Sequence, residues 1–197
     1  NRTGAHEAKT CFCDTRISAR HSIEYMTMFH RSFLLLSALC AGIALLVYLP
    51  GLPGDFIFDD IPNIVQNGTL QLTSLAPSDL RDVLYYGQMS GQTRILPTLS
   101  FALDYYFGHG FDPLIFKATN LAIHSITTLA LAFLFRNLLL TVGVVQRRAQ
   151  WAALALALAW ALHPLQVSSV LYVVQRLQTM ATLFLVLALL SYLSARR

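Results

Sequence analysis

Charge is what this chain has least of. Asp, Glu, Lys and Arg together make up 12% of its 197 residues, about half the share usual in a soluble domain. Hydrophobic residues make up 55%, and the mean hydropathy is +0.55. So little polar surface cannot cover a water-soluble fold, and a membrane protein is the class that remains. Cysteine is also scarce, with three in the chain. Cys40 lies inside an apolar run, and Cys11 and Cys13 form a lone C-x-C with no second pair. That excludes a disulfide framework and argues against a zinc site. No helical repeat of tetratricopeptide length is present. The net charge is +4, but the basic residues fall in short clusters beside apolar runs. Those are topology signals rather than a phosphate-binding face, and no nucleic-acid partner is expected.

Long apolar runs are what the chain does have. The expected fold is an all-α membrane protein of about four transmembrane helices. The first run, 33–50, is close to the length that crosses a bilayer. It is read as an uncleaved helix, because "GLPGD" is a poor cleavage site and further apolar runs follow. The second span is placed at 118–135, with Lys117 and Arg136 at its two ends. A third apolar block runs from 151 to 193. As one helix it would be about 65 Å long, too long for one bilayer. Pro164 and the polar stretch after it divide the block into spans at about 149–163 and 177–193. Residues 1–31 read as a polar, disordered tail, and 32–197 as the membrane domain.

Arginine placement orients the four spans. Arg2, Arg16, Arg20 and Arg31 precede the first span, Arg147 and Arg148 join the second to the third, and Arg196 and Arg197 follow the fourth. With four spans these clusters share one side, which the positive-inside rule makes cytoplasmic. Segment 51–117 is then a large first external loop, expected to hold short interfacial helices. "SLAPSDLRDVLYY" has Ser78 as a cap candidate, and "RILPTLSFALDYYFG" is aromatic and amphipathic. Asn67-Gly68-Thr69 fits both a turn and a glycosylation sequon, with the turn favoured.

The external loop opens with an acid pair, Asp59 and Asp60, about ten residues past the first span. A carboxylate at a membrane surface can act as a general base on an acceptor hydroxyl. Acids in a loop are also ordinary turn formers. The pair is the one place where a divalent cation would bind, although two acids without further oxygen ligands make a weak metal signal, and no metal or cofactor is assigned. His163-Pro164 reads equally as a helix terminator. Asn120 and His124 lie four apart on one helical face and are expected to satisfy each other. Arg176 sits at the external end of a span, against the inside bias, which suggests an anionic partner.

Four motifs then occur in order: "FIFDDIPNIVQN" after the first span, "RILPTLSFALDYYF" from Arg94, "NLAIH" from Asn120 to His124, and "HPLQVSSVLYVVQR" from His163 to Arg176. Together they cover about 33–193. In this order they resemble the start of GT-C membrane glycosyltransferases, above all the transmembrane O-mannosyltransferases that carry tetratricopeptide repeats, and their bacterial relatives. The resemblance implies transfer of a mannose-like sugar from a polyprenyl-phosphate carrier to a hydroxyl of a protein or glycan acceptor, on the non-cytoplasmic face. It implies an integral multi-pass membrane protein, in the inner membrane if bacterial. Asp59 or Asp60 would be the catalytic acid, and Arg94, His163, Arg176, Asn63 and His124 the substrate-binding residues. Two departures stand out: "RIL-P" replaces a tighter "RPL", and such enzymes have more spans and a repeat domain. The chain is therefore expected to be an amino-terminal fragment, inactive alone, whose remaining membrane and repeat domains lie elsewhere. The alternatives are a non-catalytic four-span scaffold, or part of a transporter built around polar residues such as His124.

Overall fold

A computed structural model describes residues 31–89 and 94–196. Residues 1–30 of the expected tail, Cys11 and Cys13 among them, lie outside these residues, and Arg31, its last residue, opens the first helix. The chain divides into two units, 1–38 and 39–197. In the first, Ser37 Oγ donates to the Phe33 carbonyl one turn earlier (2.7 Å).

All regular structure among the described residues is helical. Helix α1 covers 31–48 and ends in a short 3-10 turn, Leu49–Gly51, where Pro50 and Pro53 stop the helix. The long loop between the first two spans follows, with a π turn at Ile61–Val65 and a 3-10 turn at Gly68–Leu70. Helices α2 (Pro77–Met89) and α3 (Ile95–Gly108) complete it. The long α4 (Pro113–Thr141) and α5 (Gln146–Ala161) follow, then the short α6 (Gln166–Leu171). A 3-10 turn at Val173–Gln175 leads into α7 (Arg176–Ala195).

Three of these helices are long and apolar enough to cross a membrane: Arg31–Gly51, Pro113–Thr141 and Val173–Ala195. The protein is thus an all-α membrane protein. The remaining expected span forms as α5, which has only 16 residues. At 1.5 Å per residue that is about 24 Å, short of a ~30 Å hydrocarbon core.

Local chemistry sets the helix ends. Asp112 caps α4 by accepting from Leu114 N (2.9 Å), and Pro113 occupies the first helical position, where no N–H is needed. α3 ends at His109, which takes a left-handed φ of +53°. Ser78 falls inside the first turn of α2 instead of capping it. Ser74 braces the turn before the helix: its Oγ accepts from Ala76 N (3.2 Å) and donates to Asp79 (2.6 Å). Hydrogen bonds from Ser74 and Ser78 hold the Asp79 carboxyl below its usual range. Asn67 forms the expected turn, with its Oδ1 accepting from Thr69 N (3.2 Å).

α4 is the centre of the membrane unit, and both α5 and α7 pack along it. The loop that precedes α4 packs onto the same helices. Ile64, Leu70, Phe101, Phe116 and Val173 form one buried cluster, which joins the loop to α3, α4 and the start of α7. Tyr48, Leu52, Leu121 and Val170 form another, tying the end of α1 to α4 and α6. Gly51 lies against the Leu171 side chain so closely that a Cβ there would collide with it. That close approach seats the start of the loop on α6.

Candidate functional site

The two acids of the doublet have different surroundings. Asp60 is fully buried. Its carboxylate accepts from Val174 N (2.7 Å), Val173 N (3.4 Å) and Ile57 N (3.3 Å). Val173 and Val174 are the first residues of the 3-10 turn before α7, where backbone N–H groups have no partner within the helix. Asp60 therefore caps that turn from the other end of the chain. Burial pushes its pKa above the ordinary value of 3.8, opposed by those three backbone donors and by the charge of Lys117.

Asp59 is exposed. Its backbone N–H donates to the Tyr172 hydroxyl (2.9 Å), and its carbonyl accepts from Asn63 Nδ2 (2.8 Å). Phe58, just before it, takes a φ of +46°. A non-glycine residue rarely adopts that region, and here it accompanies the turn that presents the acids. The Phe58 ring is 81% exposed and meets Tyr172 only edge-on, at 6.5 Å. Lys117 holds the start of the loop. Its buried Nζ donates to the carbonyls of Gly54 (2.6 Å) and Asp55 (3.2 Å).

Arg176 is a tie between helices. It has no exposed surface. Its Nε donates to Asn120 Oδ1 (2.7 Å), Nη1 to Ser100 Oγ (3.1 Å) and Nη2 to the Phe116 carbonyl (2.7 Å), while Nη2 also pairs with Asp104 Oδ2 at 2.6 Å. The guanidinium stacks over the Phe101 ring, 4.4 Å from its centroid. Burial raises the Asp104 pKa against the opposing pull of Arg176 and of a hydrogen bond from Thr119. An arginine at the end of a span did call for an anion; the structure supplies Asp104, from within the same chain.

A cavity of about 540 Å³ lies beside this arrangement. Asn63, Thr69, Arg94, Thr98, Phe101 and Val174 are among the residues that line it. Of the seven residues expected from sequence, Asn63 and Arg94 reach the cavity. Asp60 is anchored to its Val174 wall, and Asp59 adjoins it in sequence. Arg176 lies against Phe101, one of the lining rings. The other two lie elsewhere. His163 is exposed, and its Nδ1 accepts from Leu165 N (3.3 Å), which suits a helix terminator. His124 is buried between Trp160, stacked at 4.9 Å, and Tyr48, edge-on at 5.5 Å. His124 and Asn120 do not satisfy each other. His124 Nε2 bonds to the Ala161 carbonyl (3.1 Å), and Asn120 Nδ2 donates to the carbonyls of Tyr172 and Val173 (both 3.3 Å). Each reaches across to another element, and for His124 the reason is that the Ala161 carbonyl lies at the end of α5, where carbonyls lack an intrahelical donor.

Sequence reasoning passed over Asp104, Lys117 and Tyr172 as site residues. Asp104 is the one acid within α3, opposite an arginine that required a partner, and that was its signal. Lys117 was read as a residue at the membrane boundary. Tyr172 carried no signal among so many aromatics. Among the described residues no group of three or more His, Cys, Asp or Glu side chains converges as a metal site would.

These features define a class: an integral membrane protein of helices, with an acidic loop clamped to the turn before α7 and a polar cavity beside the clamp. No family model matches the chain, and no solved structure matches it significantly. Curated proteins do. The chain is 35% identical over 165 residues to mouse protein O-mannosyl-transferase TMTC4, and 31% identical over 170 residues to the human protein. It is 32% identical over 163 residues to Drosophila protein O-mannosyl-transferase Tmtc2. These matches cover 78%, 79% and 80% of the chain, but 22%, 22% and 16% of the relatives. The chain is a relative of the TMTC O-mannosyltransferases, and spans about a fifth of their length.

Proposed function

We propose that this chain supplies the acceptor-activating loop and the carrier-phosphate cavity of a membrane O-mannosyltransferase. In this reading the enzyme moves mannose from a polyprenyl-phosphate carrier to a hydroxyl of a protein acceptor on the non-cytoplasmic face. Asp59 is the base. It is the exposed acid of the pair, and its backbone is held by Tyr172 and Asn63. A carboxylate open to the outside can take the proton of an incoming hydroxyl as the glycosidic bond forms, while the sugar leaves its phosphate. Asp60 is a positioning residue. Its oxygens are spent on the N–H groups of Val173 and Val174, which fixes the turn that carries Asp59 next to Asn63, a residue that lines the cavity.

Arg94 takes the carrier phosphate. It lines the cavity at the start of α3, where a guanidinium and a helix N-terminus both favour an anion. Arg176 keeps its role as a tie, since four protein acceptors already engage it. The charge pattern supports α5 as a fourth crossing, with Arg147 and Arg148 at its cytoplasmic start.

The observation that carries the proposal is the Asp60 clamp, which buries one acid and leaves its neighbour exposed. The test is transfer of labelled mannose from polyprenyl-phosphate mannose in membranes containing the complete enzyme that includes this chain. Asp59→Asn should abolish it without changing insertion or thermal unfolding. Full transfer by Asp59→Asn would remove Asp59 as the base.

A further inference from the structure

A second cavity, of about 160 Å³, lies on a different side of α7. Its lining includes His124, Thr127, Trp160, Gln166, Gln178 and Thr182. None of its lining side chains is an acid, a lysine or an arginine. At about 30 Å³ per water, the space matches a few waters or one small polar group.

His124 states what that group must offer. It is 1% exposed. Its Nε2 faces the Ala161 carbonyl, which can only accept, so Nε2 carries the hydrogen. Nδ1 is then a lone-pair acceptor, and it has no partner. A buried acceptor inside a membrane protein costs free energy until a donor reaches it. The ligand must bring a hydrogen-bond donor, and beside an uncharged lining a neutral hydroxyl is the donor that fits. Glutamines and threonines around the same space can bond to further hydroxyls, and the absence of a lysine or arginine disfavours an anion.

The surface below indicates how such a ligand arrives. α5 and α7 both pack on α4, and Trp160 of α5, Gln178 and Thr182 of α7 and His124 of α4 line the one cavity, so it opens between these three helices. On α7, Gln178 and Thr182 share a stripe with Leu185 and Leu189, 61% and 44% exposed. On α5, Leu156, one turn before Trp160, is 49% exposed. Since α7 runs inward from the loop side and α5 returns toward it, both apolar stripes continue from the cavity deeper into the bilayer. A polar cavity at the head of an apolar groove fits an amphiphile.

We propose that this groove binds a lipid with a neutral, hydroxyl-bearing headgroup, whose hydroxyl donates to His124 Nδ1 and whose chain lies along Leu185 and Leu189. It is separate from the phosphate cavity at Arg94 and does not depend on the sugar-transfer reading.

The chain has two tryptophans, so Trp151→Phe leaves Trp160 as a single reporter stacked on His124. The protein is reconstituted in phosphatidylcholine vesicles, and monogalactosyl-diacylglycerol is titrated in. A saturable change in Trp160 emission is expected. Apparent affinity should fall about tenfold in Thr182→Val and in His124→Phe, the scale of one lost hydrogen bond to a buried partner. Thr182→Val leaves the His124–Trp160 stack intact, so it remains informative if His124→Phe fails to fold. No change on titration would overturn the proposal, as would an equal change with phosphatidic acid. The same response to methyl mannoside added from water would reassign the site to a free sugar. A response that follows protein concentration instead of lipid would reassign the groove to a second copy of the chain.

Discussion

The Asp60 carboxylate accepts the backbone N–H of Val174 at 2.7 Å, across 114 residues of chain. One side chain of the loop after α1 thereby caps the turn that leads into α7. The acid pair is for this reason part of the membrane unit's frame, and its two members do different work.

Substitutions at the doublet should separate those roles. Asp59→Asn is expected to reduce mannose transfer at least a hundredfold, the usual scale of a lost general base, with thermal unfolding in detergent unchanged. Asp60→Ala leaves the Val173 and Val174 N–H groups without an acceptor. It should lower stability by about 1–3 kcal/mol and reduce transfer through a mispositioned loop. Equal unfolding profiles for the two variants would contradict the division of labour.

The Asp60 pKa gives stability a pH slope. The folded value is raised by burial above 3.8, so the folded state keeps a proton that the unfolded chain has already released. The stabilisation from that proton is complete below 3.8 and is lost as pH rises through the raised value. Thermal unfolding measured upward from pH 4 should therefore show a falling contribution from Asp60. Asp60→Asn should flatten that part of the curve, and an unchanged slope would show that Asp60 does not carry it.

Arg176 and Asp104 should behave as a unit. Arg176→Met leaves the Asp104 carboxylate buried and unpaired, and should cost about 3–5 kcal/mol. Adding Asp104→Asn to that variant removes the stranded charge and should recover a good part of the loss. A double-mutant cycle by thermal unfolding measures the coupling, and strict additivity would count against the pair.

Arg94→Ala should act on the donor. Loss of a charged contact to the carrier phosphate is worth about 1.5–3 kcal/mol, which appears as a rise of ten- to a hundredfold in KM for polyprenyl-phosphate mannose. A fall in kcat with KM unchanged would move Arg94 away from the phosphate.

Lys117→Met should loosen the loop without unfolding the helices. The bonds to Gly54 and Asp55 disappear, and amide exchange across residues 54–60 should speed up while α4 stays protected. Equal exchange in both proteins would mean the loop is held by its apolar contacts alone.

Much of the helical architecture was legible because apolar run length reports directly on a bilayer. The spans at 33–50, 118–135 and 177–193 correspond to long helices, and 149–163 to the shorter α5. The site was legible only in part. "FIFDDIPNIVQN" and Arg94 marked the loop and the cavity, but the spacing of two adjacent acids says nothing about which one is buried. Arg176 announced a buried charge without naming Asp104, because the partner comes from a different helix. His163 and Asn120 carried motif signals, yet in the structure each satisfies helix-end or backbone groups.

What the sequence settled by itself is the solvent: with so few charges and such long apolar runs, the chain had to fold in a membrane. Tertiary structure alone decided the chemistry. A carboxylate's burial, its proton and its partners depend on which distant backbone amides come within hydrogen-bond reach, and the approach of Val174 to Asp60 is made only when the loop folds back onto the last helix.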